Sequence, residues 1–196
     1  MCTGKCAKCI AVVLYPLALA SIICNILLFF PAWDSKYVEA DEEGKERLTP
    51  EVKYMGGLLG GGIMVLIPAI HIHLTGKQGC CANRCGMFLS IGFAAVGVAG
   101  AVYSMSVAAV GLSKGPVCKI AGIYWGRPFD NNGTYLSDRD SWKICVEPAG
   151  VVQFNVALFS ILLAVACLEL ALCGFQMVNG LFGCICGTCN GKEVRH

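Results

Sequence analysis

The stretch "IAVVLYPLALASIICNILLFF", residues 10–30, decides the fold class because its 21 residues include no charged side chain. As an α-helix it would be about 31 Å long, which matches the roughly 30 Å hydrocarbon core of a bilayer. Lipid offers no partner to backbone N–H and C=O groups, so a chain that crosses it must be helical or form a closed barrel. We therefore predict a transmembrane helix here.

Three further apolar runs follow, at residues 55–74, 87–112 and 151–178. The chain has 196 residues, of which 56% are apolar and only 14% charged, well below the roughly 25% charged residues of a soluble domain. Glu169 is the single Asp, Glu, Lys or Arg residue inside the four runs. These features predict an all-α membrane protein, an antiparallel bundle of four transmembrane helices with a large extracellular second loop.

Four spans place segments 1–9, 75–86 and 179–196 on one side of the membrane and loops 31–54 and 113–150 on the other. The Lys/Arg bias between the two sides is slight. Two features of the larger loop favour a cytosolic position for both termini. Asn132-Gly133-Thr134 is an N-glycosylation sequon, and Cys118 and Cys145 are the loop's two cysteines, which predicts one disulfide in an oxidising compartment.

Nine of the fourteen cysteines flank the runs on the predicted cytosolic side. They are Cys2, Cys6, Cys9, Cys80, Cys81, Cys85, Cys184, Cys186 and Cys189. A disulfide scaffold is disfavoured in the reducing cytosol. Cys6-x-x-Cys9 and Cys186-x-x-Cys189 have zinc-knuckle spacing, but each abuts a hydrophobic helix end. Juxtamembrane cysteines beside basic residues favour S-palmitoylation, which is the preferred interpretation over free thiols and over a metal site.

Small residues and one acid mark the interior of the spans. Glycines crowd "GGLLGGG", residues 56–62, and recur in the third run, which predicts close helix packing inside the bundle or a dimer seam. Glu169 is a functional candidate because ionisable residues are rare inside membranes. Its predicted depth matches that of His71, so a Glu169–His71 contact is one expectation. The other is a protonated Glu169 that bonds a backbone carbonyl, or a Glu169 side chain that extends toward the cytosol. Asn25 lies nearer the loop side.

The large loop contains "YWGRPF", residues 124–129, which is aromatic and cationic. Its side chains could contact a partner or a small polar ligand, or they could form the loop's own core; the candidates are Tyr124, Trp125, Arg127 and Phe129. No Ser/His/Asp set and no phosphate-binding loop is present. The sequence therefore predicts no enzymatic activity and no cofactor or metal.

Several long motifs resemble the transmembrane four L-six family of tetraspanin-like proteins. They are "MCTGKCAKC" at residues 1–9, "NILLFFP" at 25–31, "GGLLGGGIMVLIPA" at 56–69, "YWGRPF" at 124–129 and "CGFQMVNGLFG" at 173–183. The resemblance implies a plasma-membrane or endolysosomal glycoprotein. It also implies a scaffold that organises integrins, receptors and signalling proteins laterally, with effects on adhesion, migration and growth, and possible homo-oligomers. The alternative is a solute sensor or channel-like protein with a polar pocket around Glu169 and His71.

Overall fold

The computed structural model describes residues 3–40, 44–75, 84–130 and 133–186. Four helices in it are long and apolar enough to cross a membrane: Cys6–Leu28, Pro50–Leu74, Phe88–Lys114 and Val151–Phe182. The predicted four-span, all-α membrane fold is thereby confirmed.

Three of the spans are single α-helices: α1 (Thr3–Leu28), α4 (Arg84–Lys114) and α5 (Val151–Cys186). The second span is composite, with a short α2 (Pro50–Lys53), a π-helix (Gly56–Ile63) and α3 (Met64–Thr75). The second span packs against α1 and α4, and α5 packs against the same two helices, so the four spans form a ring. We call the end that bears the chain termini the terminal end and the other the loop end.

Glycines set how closely the second span approaches its neighbours. A Cβ atom at Gly60 would lie 2.5 Å from the carbonyl oxygen of Gly100, and one at Gly100 would lie 2.6 Å from that of Gly60. The two backbones are therefore in direct contact, as small residues permit in lipid. The expected close packing of glycines inside the bundle is confirmed at this pair, whereas Gly92 faces open space.

Two apolar clusters fill the bundle. The cluster towards the terminal end is formed by Ala7, Ile10, Ala11, Leu14, Ala18, Val65, Ala69, Ile72 and Cys173. The cluster towards the loop end is formed by Cys24, Leu28, Leu48, Val52, Ala108, Leu158, Phe159 and Leu162. Ser21 and Glu169, both fully buried, lie between the two clusters along α1 and α5. A polar layer thus separates two apolar ones.

The two loops at the loop end form a small folded cap. A three-stranded antiparallel sheet in the order β2-β1-β3 consists of β1 (Cys118–Ile120), β2 (Tyr124–Gly126) and β3 (Cys145–Glu147). A Cys118–Cys145 disulfide joins β1 to β3, with the Cα atoms 5.4 Å apart. The core of the cap contains Cys118, Phe129, Tyr135, Val151 and Val152. The first turn of α5 therefore belongs to the cap.

Candidate functional site

The polar layer of the bundle begins at Asn25, where α1 meets the start of the π-helix. The Asn25 Oδ1 accepts hydrogen bonds from the backbone N–H groups of Gly57 at 2.7 Å and Leu58 at 3.0 Å. The first N–H groups of any helix have no partner within the helix, and lipid offers none. Asn25 therefore caps the π-helix of the second span from a neighbouring helix, while Met55, with φ 50°, turns the chain into that π-helix.

Glu169 lies in the same polar layer, further from the loop end than Asn25. The Ser21 hydroxyl donates to Glu169 Oε1 at 3.5 Å, and Ser21 and Asn25 are one helical turn apart on α1. A Cβ atom at Gly61 would lie 2.6 Å from Ser21 Oγ and 3.0 Å from Glu169 Oε2. The missing side chain of Gly61 thus makes room for both groups. Glu169 Oε2 is buried and has no hydrogen-bond partner within the described residues.

The expected contact between Glu169 and His71 is wrong. The His71 ring packs against Phe93 with the centroids 4.3 Å apart, and its Nε2 atom has no hydrogen-bond partner in the described part of the chain. The depth estimate assumed that α5 enters the membrane at Val151, but its first turn is part of the cap core. Glu169 is therefore closer to the loop end than predicted, level with Ser21. A polar pocket joining Glu169 to His71 is not formed.

A second buried polar pair lies nearer the terminal end. Gln176 Nε2 donates to Ser90 Oγ at 2.9 Å, and both side chains are almost fully buried. Asn179 donates to Gln176 Oε1 at 3.4 Å. The pair joins α4 to α5 through neutral groups, so these interior polar side chains bind each other. Ser21 and Gln176 were not predicted as partners because a single sequence does not show which faces of two helices meet.

In the cap, an ion pair joins the two loops. The guanidinium of Arg127 donates to both oxygens of Glu51, at 3.2 and 2.7 Å, and also to the Gly115 carbonyl at 2.9 Å. The Glu51 side chain is 4% exposed. Beside the pair, the Val117 N–H donates to Thr49 Oγ1 at 3.3 Å. The bidentate bond between Arg127 and Glu51 fixes both the distance and the orientation of the two side chains.

Aromatic side chains complete the junction of the loops. Trp125 packs on Tyr37 with the ring centroids 6.0 Å apart, and the Arg47 guanidinium lies 5.7 Å from the Trp125 ring. The Tyr37 hydroxyl donates to Glu147 at 3.3 Å. The first loop therefore lies against the sheet of the second. Tyr37 in the first loop and Glu51 on α2, at the end of that loop, were not among the predicted site residues.

Phe129 belongs to the core of the cap. It stacks on Tyr135 with the centroids 4.6 Å apart. The Tyr135 hydroxyl donates to the Leu112 carbonyl, which ties the cap to the end of α4. Burial raises the pKa of Tyr135, and this effect outweighs the opposing charge of Arg127.

Of the four residues proposed as a contact patch, three make contacts inside the cap or are buried there. Arg127 binds Glu51, Trp125 packs on Tyr37 and Phe129 is buried. For these three residues the structure agrees with the alternative that they form the loop's own core; of the four, only Tyr124 is exposed. It adjoins Ile123, which is 78% exposed, and Val146 on β3 is exposed as well.

The predicted modification sites fall in different parts of the chain. Cys6 and Cys9 are exposed free thiols near the start of α1. Three further candidates belong to the ends of helices at the terminal end: Cys85 in α4, and Cys184 and Cys186 in α5. The remaining candidates lie outside the described residues, namely Cys2, Cys80, Cys81 and Cys189, and so does the sequon residue Asn132.

Comparisons with known proteins agree with this architecture. The sequence profile of the L6 membrane protein family matches residues 1–190. Transmembrane 4 L6 family member 5 of Bos taurus is 43% identical over 98% of both chains. Member 4 of Mus musculus is 45% identical over 96% of this chain and 94% of its own.

Member 1 of Homo sapiens is 41% identical over 100% of this chain and 99% of its own. No solved structure matches significantly. The identities to members 5, 4 and 1 are too similar to assign one member. The four spans, the glycine-rich second span and the full-length matches show that the chain belongs to the L6 membrane protein family of tetraspanin-like proteins.

Proposed function

We propose that this multi-pass membrane protein is a lateral scaffold, which holds receptors, integrins and signalling proteins together in the plasma membrane or the endolysosomal membrane and so affects adhesion, migration and growth. The observation that carries the proposal is the construction of the cap. A disulfide and the Arg127–Glu51 pair make it one folded unit. That unit exposes apolar side chains on both outer strands of its sheet: Tyr124 on β2 with its neighbour Ile123, and Val146 on β3. We call these three residues the cap tip.

A preformed apolar tip suits a scaffold because exposed apolar side chains on a water-facing domain favour contact with another protein. Binding then requires little ordering, since the cap is already fixed by its internal bonds. The interior of the bundle supports the same proposal. Ser90 binds Gln176, and Asn25 caps the second span, so these polar groups serve packing between helices.

The terminal end would complete the scaffold through acylation. Cys6 and Cys9 are exposed on the first turns of α1, where a thiol within reach of the interface can carry an acyl chain. Acyl chains there would enlarge the lipid-facing perimeter and favour ordered, protein-crowded patches. This arrangement needs cytosolic termini and an extracellular or lumenal cap. Loss of a glycosidase-sensitive mobility shift in an Asn132→Gln variant made in mammalian cells would support that orientation.

The proposal is tested by proximity labelling in the native membrane with a labelling enzyme fused to the chain. Changing the tip with Ile123→Lys and Val146→Lys should remove a defined set of neighbours, because charges at the tip oppose apolar contact. The matched control is Leu136→Lys, which changes an exposed apolar residue on a different element of the cap. An unchanged set of neighbours in the tip variant, with the variant folded and at the cell surface, contradicts the proposal.

A further inference from the structure

Trp33 continues the lipid-facing surface of α1 beyond the end of the helix. Exposed apolar side chains follow one another at intervals of four and three residues, which is the spacing of one helix face. They are Leu19, Ile23, Ile26, Phe30 and Trp33. The helix ends at Leu28, and the positive φ values of Ala32 and Trp33 interrupt the helical spacing, but the run of exposed apolar side chains continues to Trp33, which is 76% exposed.

The backbone that presents Trp33 is strained. Ala32 and Trp33 have φ values of 56° and 62°, which non-glycine residues rarely adopt. The turn is closed by the Trp33 N–H, which donates to the Phe30 carbonyl at 2.9 Å. The indole packs edge-on against Phe154 of α5, with the ring centroids 6.4 Å apart. A strained backbone that places one large side chain on the surface is typical of a functional position.

Trp33 also lies where the apolar surface ends. Asp34, the next residue, begins the charged part of the first loop, and Lys114 ends α4 at the same end of the bundle. Trp and Tyr side chains are enriched at this level of membrane proteins because their rings are apolar and their N–H or O–H groups are polar. Tyr54, which is also exposed, follows Lys53 at the start of the second span.

Open clefts flank the Trp33 turn. One has a volume of about 380 Å³ and lies between Trp33 and the first turns of α5, at Gln153 and Phe154. The other, about 500 Å³, is lined by Ile26 and Phe30 together with first-loop residues. Ile26 and Phe30 belong to the lipid-facing stripe, so the second cleft is continuous with the surface that the bilayer covers.

We propose that Trp33 is a bilayer anchor: its indole inserts into the interface of the leaflet on the loop side, and lipid chains fill the clefts beside it. The apolar ring continues the contact of α1 with lipid, and the indole N–H can donate to oxygens of the lipid headgroups. Because Trp33 precedes the segment that packs on the cap sheet, the anchor ties the cap to the membrane surface. The inference does not depend on the scaffold function.

The test uses tryptophan fluorescence of the full chain in lipid nanodiscs. The emission of Trp33 is obtained as the difference between the wild type and a Trp33→Phe variant, which keeps an aromatic ring against Phe154. The matched control is the difference for Trp142→Phe, since Trp142 lies in the cap and donates to the Tyr135 carbonyl at 2.8 Å. Circular dichroism and gel filtration of each variant check that it is folded.

Phospholipids brominated near the top of the acyl chains should quench most of the Trp33 emission and little of the Trp142 emission. Bromines placed at the chain ends should quench Trp33 less than those near the headgroup. Quenching of Trp33 by aqueous iodide and not by brominated lipid would overturn the proposal, because the ring would face water. Protection from both quenchers would also overturn it, because a protein surface such as a second copy would then cover the ring.

Discussion

The bundle and the cap are held together by different kinds of contact. In the bundle, two spans approach each other backbone against backbone at Gly60 and Gly100. In the cap, the two loops meet through the Arg127–Glu51 pair, and the Cys118–Cys145 disulfide joins the strands of the larger loop. Contact between spans in the bundle depends on glycines, which have no side chain. Contact within the cap depends on specific side chains.

The solvent around each region explains the difference. Lipid tails are as apolar as leucine, so helices gain little by hiding apolar side chains from them and associate through close van der Waals contact. The cap faces water but is too short to bury a large core of its own. Chains of that size need additional stabilising links such as disulfides. It therefore uses a disulfide, an ion pair and the first turn of α5 as part of its core.

Breaking the ion pair should have the largest effect. Arg127→Ala leaves the Glu51 carboxylate buried without its cation, and removing one partner of a buried pair costs about 3–5 kcal/mol. Hydrogen exchange of the cap amides in detergent or nanodiscs would measure the loss as a lower free energy of opening. The amides of α1 and α4 near the terminal end should be protected as before.

Lys143→Ala is the matched control for that variant. Its pair with Asp140 lies in the same cap, but the two side chains are 81% and 86% exposed, and exposed pairs contribute about 0–1 kcal/mol. An Arg127→Ala cap as well protected as the Lys143→Ala cap would show that the ion pair does not hold the loops together.

The sequence predicted the bundle better than the cap, for physical reasons. Long apolar runs have one stable form in lipid, so four spans could be predicted from hydropathy alone. The pairing of Glu51 with Arg127 joins residues 76 positions apart, and nothing in a single sequence relates them. Two loop cysteines can be paired by counting, whereas charged residues offer many combinations. The sequence accordingly left open whether "YWGRPF" is a contact patch or the loop's own core, and most of it lies inside the cap.

Adding a methyl group at Gly60 should cause the next largest loss of stability. The added methyl group in Gly60→Ala would lie 2.5 Å from the Gly100 carbonyl, so the two spans must separate. Overpacking of this kind costs about 1–3 kcal/mol, measurable as a lower midpoint of thermal unfolding in detergent. Gly174→Ala is the control because nothing lies within 4 Å of its added Cβ atom. Equal midpoints for the two variants would mean that the spans do not meet at Gly60.

Glu169 was paired with the wrong residue because its depth in the membrane was predicted incorrectly. Its position was counted from Val151 as though that residue lay at the membrane boundary, but Val151 is buried in the cap. A sequence shows where an apolar run begins but not which of its turns leave the bilayer to join a folded loop. For the same reason Ser21 was not identified as the partner of Glu169. Which residues of two helices meet depends on how the helices are positioned relative to each other along the membrane normal.

Ser21→Ala should have the smallest effect, and it tests whether Glu169 depends on this one neighbour. The Ser21–Glu169 hydrogen bond is long at 3.5 Å, and interhelical hydrogen bonds in membranes contribute about 0.6 kcal/mol on average. We therefore expect a change of unfolding free energy of about that size, from unfolding of reconstituted protein. Asn25→Ala serves as the comparison, because it leaves two backbone N–H groups of the π-helix without their acceptor and should cost more. A Ser21→Ala loss as large as the Asn25→Ala loss would contradict this ranking, and would mean that the Ser21 hydroxyl is needed to keep Glu169 inside the bundle.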